Sequence, residues 1–167
     1  MTDIRQSEKI IIYTDGSSLG NPGPGGYGIV MRYKNKYSEF SNGFRKTTNN
    51  RMELMAVIEA LKLLKTKKIK IELYTDSKYV SEAINAGWIN TWKRRGFKKV
   101  KNLDLWKEFI ELYPSYNIKF IWVKGHVGNV SNERCDYLAR EAARNPDAID
   151  TGYELLGSSD QNLFNHE

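Results

Sequence analysis

Apolar and β-branched residues near the start of the sequence predict three consecutive strands. Residues 9–14 (KIIIYT) are apolar almost throughout, which is typical of a strand covered on both faces. Residues 27–33 and 37–44 also carry a strand pattern, and only three residues separate them. So short a connection favours two antiparallel neighbours.

Helical periodicity begins after the third strand. In residues 47–65, apolar side chains recur at positions 54, 57, 58, 61 and 64, and Thr48 or Asn49 is placed to cap the helix. Ser77 and Gly87 are expected to begin and end a second helix. This second helix is predicted over residues 76–87. Two further helices are predicted for residues 103–113 and 131–145, and two further strands for residues 70–75 and 118–123.

This order of elements predicts an α/β fold. Strand hairpins followed by strand–helix crossovers imply a mixed sheet with parallel members, and the chain shows neither internal repeats nor an interdomain linker. We expect one domain over residues 1–153 and a flexible acidic tail over residues 154–167. The region beyond Arg144 has acidic residues but no lysine or arginine, and we expect it to be partly disordered and solvated.

Size and composition favour a soluble globular protein with a sizeable core, at 167 residues, 40% hydrophobic and 28% charged. No apolar run approaches the roughly 20 residues of a membrane span, and the first residues lack the apolar stretch of a signal peptide. The single cysteine, Cys135, excludes an internal disulfide and is expected to be a buried small hydrophobe. We therefore expect a cytoplasmic protein without a membrane partner.

The excess positive charge is concentrated in one segment. Residues 93–101 carry six cations and no acid, and the remaining basic and acidic residues balance at 20 each. Trp88, Trp92 and Phe97 interleave with these cations. A solvated helix face would account for the charge alone, but the aromatic residues favour a nucleic-acid partner. The other two tryptophans, Trp106 and Trp122, are expected in the core.

Four acidic residues are candidates for one shared site. Asp15 and Asp76 follow two predicted central strands, and both carboxylates would emerge at the same sheet edge if those strands are parallel neighbours. Glu53 lies near the start of the first helix, where the apolar stripe directs it toward the sheet. Asp136 lies about one turn into the last helix. Each acid alone could equally be a turn, capping or solvated residue.

Converging carboxylates would repel one another and raise one another's pKa unless cations neutralise them. Oxygen ligands without a histidine or cysteine cluster favour Mg²⁺, with Mn²⁺ as a substitute, over zinc. Two such ions roughly 3.5–4 Å apart could activate a water molecule and stabilise the leaving oxygen of a phosphodiester. The acidic residues are therefore suited to phosphodiester hydrolysis.

Residues 13–28 (YTDGSSLGNPGPGGYG) contain six glycines and two prolines. Three interpretations are open for this segment: a phosphate-cradling loop, a plain hairpin, or a rigid support for Asp15. The segment lacks the Gly-Lys-Ser/Thr ending of a Walker motif and follows an acid that would repel phosphate. A rigid support for Asp15 is therefore favoured.

Several motifs together give a specific resemblance. YTDGSSLGNPGPGGYG, TTNNRMELMA, YTDSKYV, WVKGHVGNVSNERCDYLA and NPDAIDTGY occur in the order of the bacterial type 1 ribonuclease H family. The sequence resembles this family from about Lys9 to Tyr153. The resemblance implies a ribonuclease H-like mixed five-stranded sheet flanked by helices. It also implies an endonuclease that cleaves the RNA strand of RNA/DNA hybrids with two metal ions, leaving 5′-phosphate and 3′-hydroxyl ends.

Catalytic roles follow from the resemblance, motif by motif. Asp15 (TDG), Glu53 (RMEL), Asp76 (TDS) and Asp136 (ERCD) resemble the metal-binding carboxylates of the family. His126 of KGHVG resembles the mobile-loop histidine that assists proton transfer or product release. The ordinary pKa of imidazole, about 6.5, suits that role.

Substrate contacts on both strands are also implied by the resemblance. The residues expected at the RNA minor groove, where the 2′-hydroxyl distinguishes RNA from DNA, are Ser18, Gly20, Asn21, Asn49 and Asn50. The glycine segment would leave room there for a ribose backbone. Thr48 and Asn102 resemble the phosphate pocket for the DNA strand, and Trp88 and Trp92 resemble its aromatic channel. Basic contacts are expected from Lys93, Arg94, Arg95, Lys98 and Lys99.

The sequence departs from the family pattern at two places. The basic stretch WKRRGFKKVKN is shorter than the protrusion of the best-known bacterial members, and Lys78 stands where glutamine is common, adding charge near the site.

Two other functions stay open. A non-catalytic hybrid-binding module would need the basic aromatic segment but not the acids. A nuclease of the same fold acting on DNA alone would share the acids but not the asparagine-rich motifs. No oligomerisation stripe is evident, so we expect a monomer.

Overall fold

A five-stranded mixed sheet forms the centre of the protein, as the sequence predicts. The structure, a computed structural model, describes residues 8–125 and 128–155. The strand order is β3-β2-β1-β4-β5; β1, β2 and β3 are antiparallel neighbours, whereas β4 runs parallel to both β1 and β5. The strands are β1 (Ile10–Ser18), β2 (Gly23–Tyr33), β3 (Lys36–Thr47), β4 (Ile71–Thr75) and β5 (Ile118–Trp122).

Helices surround the sheet, and the four predicted ones are present with ends shifted by a few residues at most. The helices are α1 (Asn49–Lys62), α2 (Lys78–Asn85), α3 (Trp88–Arg94), α4 (Leu103–Leu112), α5 (Val130–Arg144) and α6 (Thr151–Glu154), with a 3₁₀ turn at Tyr113–Ser115. Thr48, not Asn49, is the N-cap of α1, and Ser77 caps α2 as predicted. The pattern did not predict α3 and α6, because both are too short to show a clear helical period.

The main core lies between the sheet and the helices α1 and α4. The predicted stripe of α1 faces inward, with Leu54, Val57, Ile58 and Leu61 fully buried. Trp106 of α4 is also fully buried, as predicted. None of the described helices is both long enough and apolar enough to cross a membrane.

The glycine segment, residues 13–28, forms a β-hairpin: the second half of β1, a turn at residues 19–22 and the first half of β2. Gly23 to Gly28 belong to β2, and helix α5 packs directly on this part of the sheet. A Cβ at Gly26 would lie 2.6 Å from the carbonyl oxygen of Ala139, and one at Gly28 would collide with that of Cys135. The expected space for a ribose is thus taken by α5 at these two residues. Cys135 itself is buried there, as predicted.

One further expectation is wrong, and another is corrected for residues 145–155. Trp122, expected in the core, is 40% exposed, because it stands at the end of the edge strand β5. The region beyond Arg144 is not merely solvated: Asp150 is buried and forms an ion pair with Arg51 of α1, with 2.8 Å between Nε and Oδ2. Glu154, the first residue of the predicted tail, ends α6 and pairs with Arg45.

Candidate active site

Asp15 and Asp76 occupy equivalent positions on neighbouring parallel strands. The parallel pairing of β1 with β4 ends at Thr14 and Thr75, and each acid is the next residue in the chain. Asp15 does not end its strand as expected, since β1 continues beside β2 to Ser18. Both carboxylates nevertheless emerge at the carboxyl edge of the parallel pair, where α/β proteins bind their ligands.

Close packing of α1 on β1 brings Glu53 to the same edge. A Cβ at Gly16 would lie 2.8 Å from the Cα of Glu53, so only glycine permits this approach. Carboxylate oxygens of Asp15, Glu53 and Asp76 all lie within 4.8 Å of one another. The side chains of Asp15 and Glu53 are 3% and 6% exposed, respectively. We call these three residues the acidic cluster.

Burial and mutual repulsion keep the acidic cluster from ionising fully. Burial, followed by the charge of Asp76, raises the pKa of Asp15 to about 8. Burial and the charge of Asp15 likewise raise the pKa of Glu53 well above its ordinary value. A hydrogen bond between these two carboxyl groups lowers the pKa of Asp15 and raises that of Glu53. The backbone N–H of Gly16 donates a 2.9 Å hydrogen bond to Asp15 Oδ1.

The acidic cluster fits a hard divalent cation. Glu53 Oε2 is buried and has no hydrogen-bond partner among the described residues. An unpaired buried carboxylate oxygen is costly unless a ligand satisfies it. The cluster offers oxygen ligands only, which favours Mg²⁺ or Mn²⁺.

The fourth predicted carboxylate, Asp136, lies on α5 close to the acidic cluster but is not part of it. Its charge contributes to the raised pKa of Asp15. Its own carboxylate forms an ion pair with Arg140, one helical turn away, at 2.8 Å. His126 lies outside the described residues, but the preceding Gly125 lies against Asp76, where a Cβ would be 3.0 Å from Oδ2.

The residues predicted to contact RNA lie on two segments that the structure brings together. Ser18 ends β1, and Asn49 and Asn50 are the first two residues of α1. The Asn49 backbone N–H donates a 3.0 Å hydrogen bond to Asn21 Oδ1. Through this contact, the turn that contains Gly20 and Asn21 is held at the start of the helix that carries Glu53.

Arg51 connects the two residues predicted to bind a DNA phosphate. The Thr48 side chain accepts a 3.3 Å hydrogen bond from the Arg51 backbone N–H, and Asn102 Oδ1 lies 3.5 Å from an Arg51 side-chain nitrogen. Asp104 and Asp150 hold the guanidinium in place. Burial lowers the pKa of Arg51, but these carboxylates outweigh burial and raise it above its ordinary value. The sequence did not single out Arg51.

Ring contacts connect Trp88 and Trp92, the predicted aromatic channel, to the core. Trp88 is 38% exposed, and its ring centroid lies 6.5 Å from that of Trp92. Trp92 in turn lies 5.1 Å from the buried Trp106. All five predicted basic contacts are exposed on α3 or in the turn that follows it: Lys93, Arg94, Arg95, Lys98 and Lys99. Lys78, the first residue of α2, lies with Nζ 5.5 Å from the centroid of the Trp122 ring.

The sheet, its acidic edge and the exposed basic and aromatic surface define a nuclease of the α/β class. The RNase H family model matches residues 7–144, and the chain belongs to this family. The ribonuclease H of Escherichia coli O9:H4 (strain HS) is 52% identical over 153 residues, which cover 89% of this chain and 97% of that protein. The resemblance noted in the sequence and the prediction of a ribonuclease H-type hydrolase are thereby confirmed.

Solved structures show the same fold. LC9-RNase H1, a type 1 RNase H with the type 2 active-site motif, has a TM-score of 0.76 and 31% identity, covering 91% of this chain and 82% of its own. LC11-RNase H1, solved in complex with an RNA/DNA hybrid, has a TM-score of 0.56 and 31% identity, covering 81% of this chain and 97% of its own. The predicted fold class is confirmed.

Proposed function

We propose that this chain is an endonuclease that hydrolyses the RNA strand of RNA/DNA hybrids and leaves 5′-phosphate and 3′-hydroxyl ends. The acidic cluster carries this proposal, because its three carboxylates meet within 4.8 Å at the carboxyl edge of two parallel strands. Membership of the RNase H family supports the reaction. The hybrid bound to LC11-RNase H1 supports the substrate.

Asp15, Glu53 and Asp76, together with Asp136, would hold two divalent ions, Mg²⁺ with Mn²⁺ as a substitute. Such ions supply activation of the attacking water and stabilisation of the leaving oxygen. The unpaired Glu53 Oε2 supports this assignment. Because carboxylates bind metals in their ionised form, Asp15 and Glu53 must release the protons that their raised pKa values retain.

Substrate strands would be bound on either side of the cluster. The RNA strand would meet Ser18, Gly20, Asn21, Asn49 and Asn50, and the asparagine amides would donate and accept hydrogen bonds to 2′-hydroxyls and base edges. A phosphate of the DNA strand would meet Thr48 and Asn102, each of which accepts a hydrogen bond from Arg51, Thr48 from its backbone and Asn102 from its side chain. Trp88 and Trp92 would line the path of the DNA strand, and the cations at Lys78 and residues 93–99 would attract phosphates.

His126 would assist proton transfer or product release. It follows Gly125 in the sequence, and the contact of Gly125 with Asp76 supports this role.

We infer that the catalytic domain spans residues 1–153 and is followed by an acidic tail at residues 154–167. The lone cysteine supports a cytoplasmic location, and the absence of an oligomerisation stripe in the sequence supports a monomer.

Cleavage of matched duplexes tests the proposed function. With Mg²⁺, the protein should cut the RNA strand of an RNA/DNA hybrid and leave a DNA/DNA duplex of the same sequence intact. Asp15→Asn should reduce cleavage at least a hundredfold, because it removes a ligand charge at the centre of the cluster, whereas Asp147→Asn, at an exposed acid, should not. Equal cleavage of both duplexes would support a DNA nuclease, and hybrid binding without cleavage would support a binding module.

A further inference from the structure

An exposed tryptophan stands beside the candidate active site without a role assigned so far. Trp122 is the last residue of β5 and pairs in register with Thr75, the residue before Asp76. Trp122 is 40% exposed, and because single exposed apolar residues are common on protein surfaces, its contacts and not its exposure must carry any assignment of a role. Its contacts indicate which residues it supports.

The Trp122 indole holds the backbone of Asp76. Indole Nε1–H donates a 3.1 Å hydrogen bond to the Asp76 carbonyl oxygen. The next residue, Val123, donates its backbone N–H to the Thr75 carbonyl at 2.9 Å, and Gly125 lies against the Asp76 side chain. Residues 122–125 therefore contact the carbonyl groups of Thr75 and Asp76 as well as the Asp76 side chain.

The face of the same indole holds a positive charge. Lys78 Nζ lies 5.5 Å from the centroid of the Trp122 ring, within the range of a cation–π interaction. Lys78 begins α2, two residues after Asp76. Without such a partner, a flexible ammonium next to an acidic cluster would be drawn to the carboxylates and would compete with a metal ion. The ring offers Lys78 another position at the rim of the site.

We propose that Trp122 is a positioning residue with two separable effects, an inference that rests on the proposed nuclease function. Its N–H fixes Asp76 for metal binding, and its ring holds Lys78 where the ammonium meets a phosphate of the bound nucleic acid. The first effect acts on Mg²⁺ affinity and kcat. The second acts on KM and its dependence on salt.

Calorimetric titration of Mg²⁺ into the protein, without substrate, tests the first effect. Trp122→Phe keeps an aromatic ring but loses the N–H donor. The Mg²⁺ concentration at half-saturation, the Mg²⁺ midpoint, should increase about tenfold, the lower end of the range for residues that orient metal ligands. Tyr116→Phe is the matched control, because it also loses one hydrogen bond from a ring to a backbone carbonyl, that of Leu61, far from the acidic cluster. It should leave the midpoint unchanged.

Salt dependence of cleavage tests the second effect. Lys78→Gln should raise KM and reduce the slope of log KM against log salt by about 1, as expected for one lost phosphate contact. It should not raise the Mg²⁺ midpoint. Lys119→Gln removes an equally exposed lysine from β5 itself and should leave both quantities unchanged.

The inference is overturned if Trp122→Phe shifts the Mg²⁺ midpoint no more than Tyr116→Phe does. It is also overturned if Lys78→Gln and Lys119→Gln give the same salt slope. A lower Tm without a shifted midpoint would mean that Trp122 is merely structural. The unsubstituted protein separates failure of the proposed function from failure of this inference. If it does not cleave the hybrid at all, the proposed function fails, whatever the variants do.

Discussion

At the scale of single residues, the acidic cluster destabilises the folded protein when no metal ion is bound. Asp15 and Glu53 are buried beside each other, and Glu53 Oε2 has no hydrogen-bond partner among the described residues. Such an arrangement is typical of a binding site, where the ligand and not the protein satisfies the buried charge. Its energetic consequence can be measured without any substrate.

Asp15→Asn should stabilise the metal-free protein. The folded state raises the Asp15 pKa from 3.8 to about 8, so it retains a proton that the unfolded chain has already released. The stability of the parent should therefore fall as the pH rises from about 4 to about 8. Asparagine removes this dependence, and we expect a gain of about 1–3 kcal/mol at pH 8.

Urea unfolding in EDTA at pH 5 and pH 8 measures this effect. The gain should be smaller at pH 5, where the parent retains its proton. Asp147→Asn, at an exposed carboxylate, is the control and should be nearly neutral at both pH values. A variant at Asp15 that is less stable than the parent at pH 8 would contradict the account.

The proximity of three acids was predictable because each belongs to, or follows, a recognisable element. Asp15 and Asp76 follow strands, and Glu53 lies on an apolar helical stripe, so their meeting could be predicted. The pair of Arg51 and Asp150 could not, because its partners are separated by 99 positions and neither lies in a pattern that indicates burial. Trp122 was wrongly predicted to lie in the core, because the local sequence does not reveal that β5 is an edge strand.

At the scale of elements, the glycines of β2 determine how closely α5 approaches the sheet. Gly26 and Gly28 lie under the backbone of α5, and Gly43 of β3 lies under its end at Ala142. Because α5 carries Asp136, this packing also sets the distance of the fourth carboxylate from the acidic cluster. The glycine content of the segment therefore serves helix packing as well as the support of Asp15.

Gly28→Ala should destabilise the protein by about 2–3 kcal/mol, the upper part of the range for an overpacked core. Its Cβ would collide with the carbonyl oxygen of Cys135, which is backbone and cannot move alone. Gly87→Ala is the comparison: it has open space but a positive φ of 76°, and should cost only about 1 kcal/mol. Thermal or urea unfolding would measure both, and equal losses would contradict the packing role of Gly28.

Element boundaries were predictable where a long hydrophobic pattern exists, as in α1. They were not predictable where tertiary packing decides. The strand β2 extends back to Gly23 because it pairs with β1 and β3, although its glycines have low intrinsic strand preference. The helix α3 forms just before the basic segment, and overlaps its first two residues, because Ile89 and Trp92 pack on the core.

At the scale of the whole molecule, positive charge lies at more than one place. The basic segment around α3 holds six cations, and a second group of exposed lysines follows α1: Lys65, Lys67, Lys68 and Lys70. Only the first group directly follows exposed and partly buried tryptophans, Trp88 and Trp92. Charge alone therefore does not locate the nucleic acid, and the aromatic residues favour the α3 surface.

Replacing three cations of the α3 surface should weaken hybrid binding. We expect Arg94→Gln/Arg95→Gln/Lys98→Gln to lower the slope of log Kd against log salt by up to about 3, at about 0.9 per phosphate contact in duplex DNA. Lys65→Gln/Lys67→Gln/Lys68→Gln removes the same charge elsewhere and should change the slope far less. Fluorescence anisotropy with a labelled hybrid in EDTA gives both slopes. Equal slopes would show that net charge, and not this surface, governs binding.

Calorimetric titration of Mg²⁺ into the substrate-free protein tests the central claim most directly, namely that the acidic cluster is a metal site. Runs at pH 7 in buffers of different ionisation enthalpy count the protons released. The raised pKa values of Asp15 and Glu53 predict that binding releases about one proton or more, and that Asp15→Asn nearly abolishes binding. Mg²⁺ binding that releases no proton, or that survives Asp15→Asn unchanged, would contradict the account.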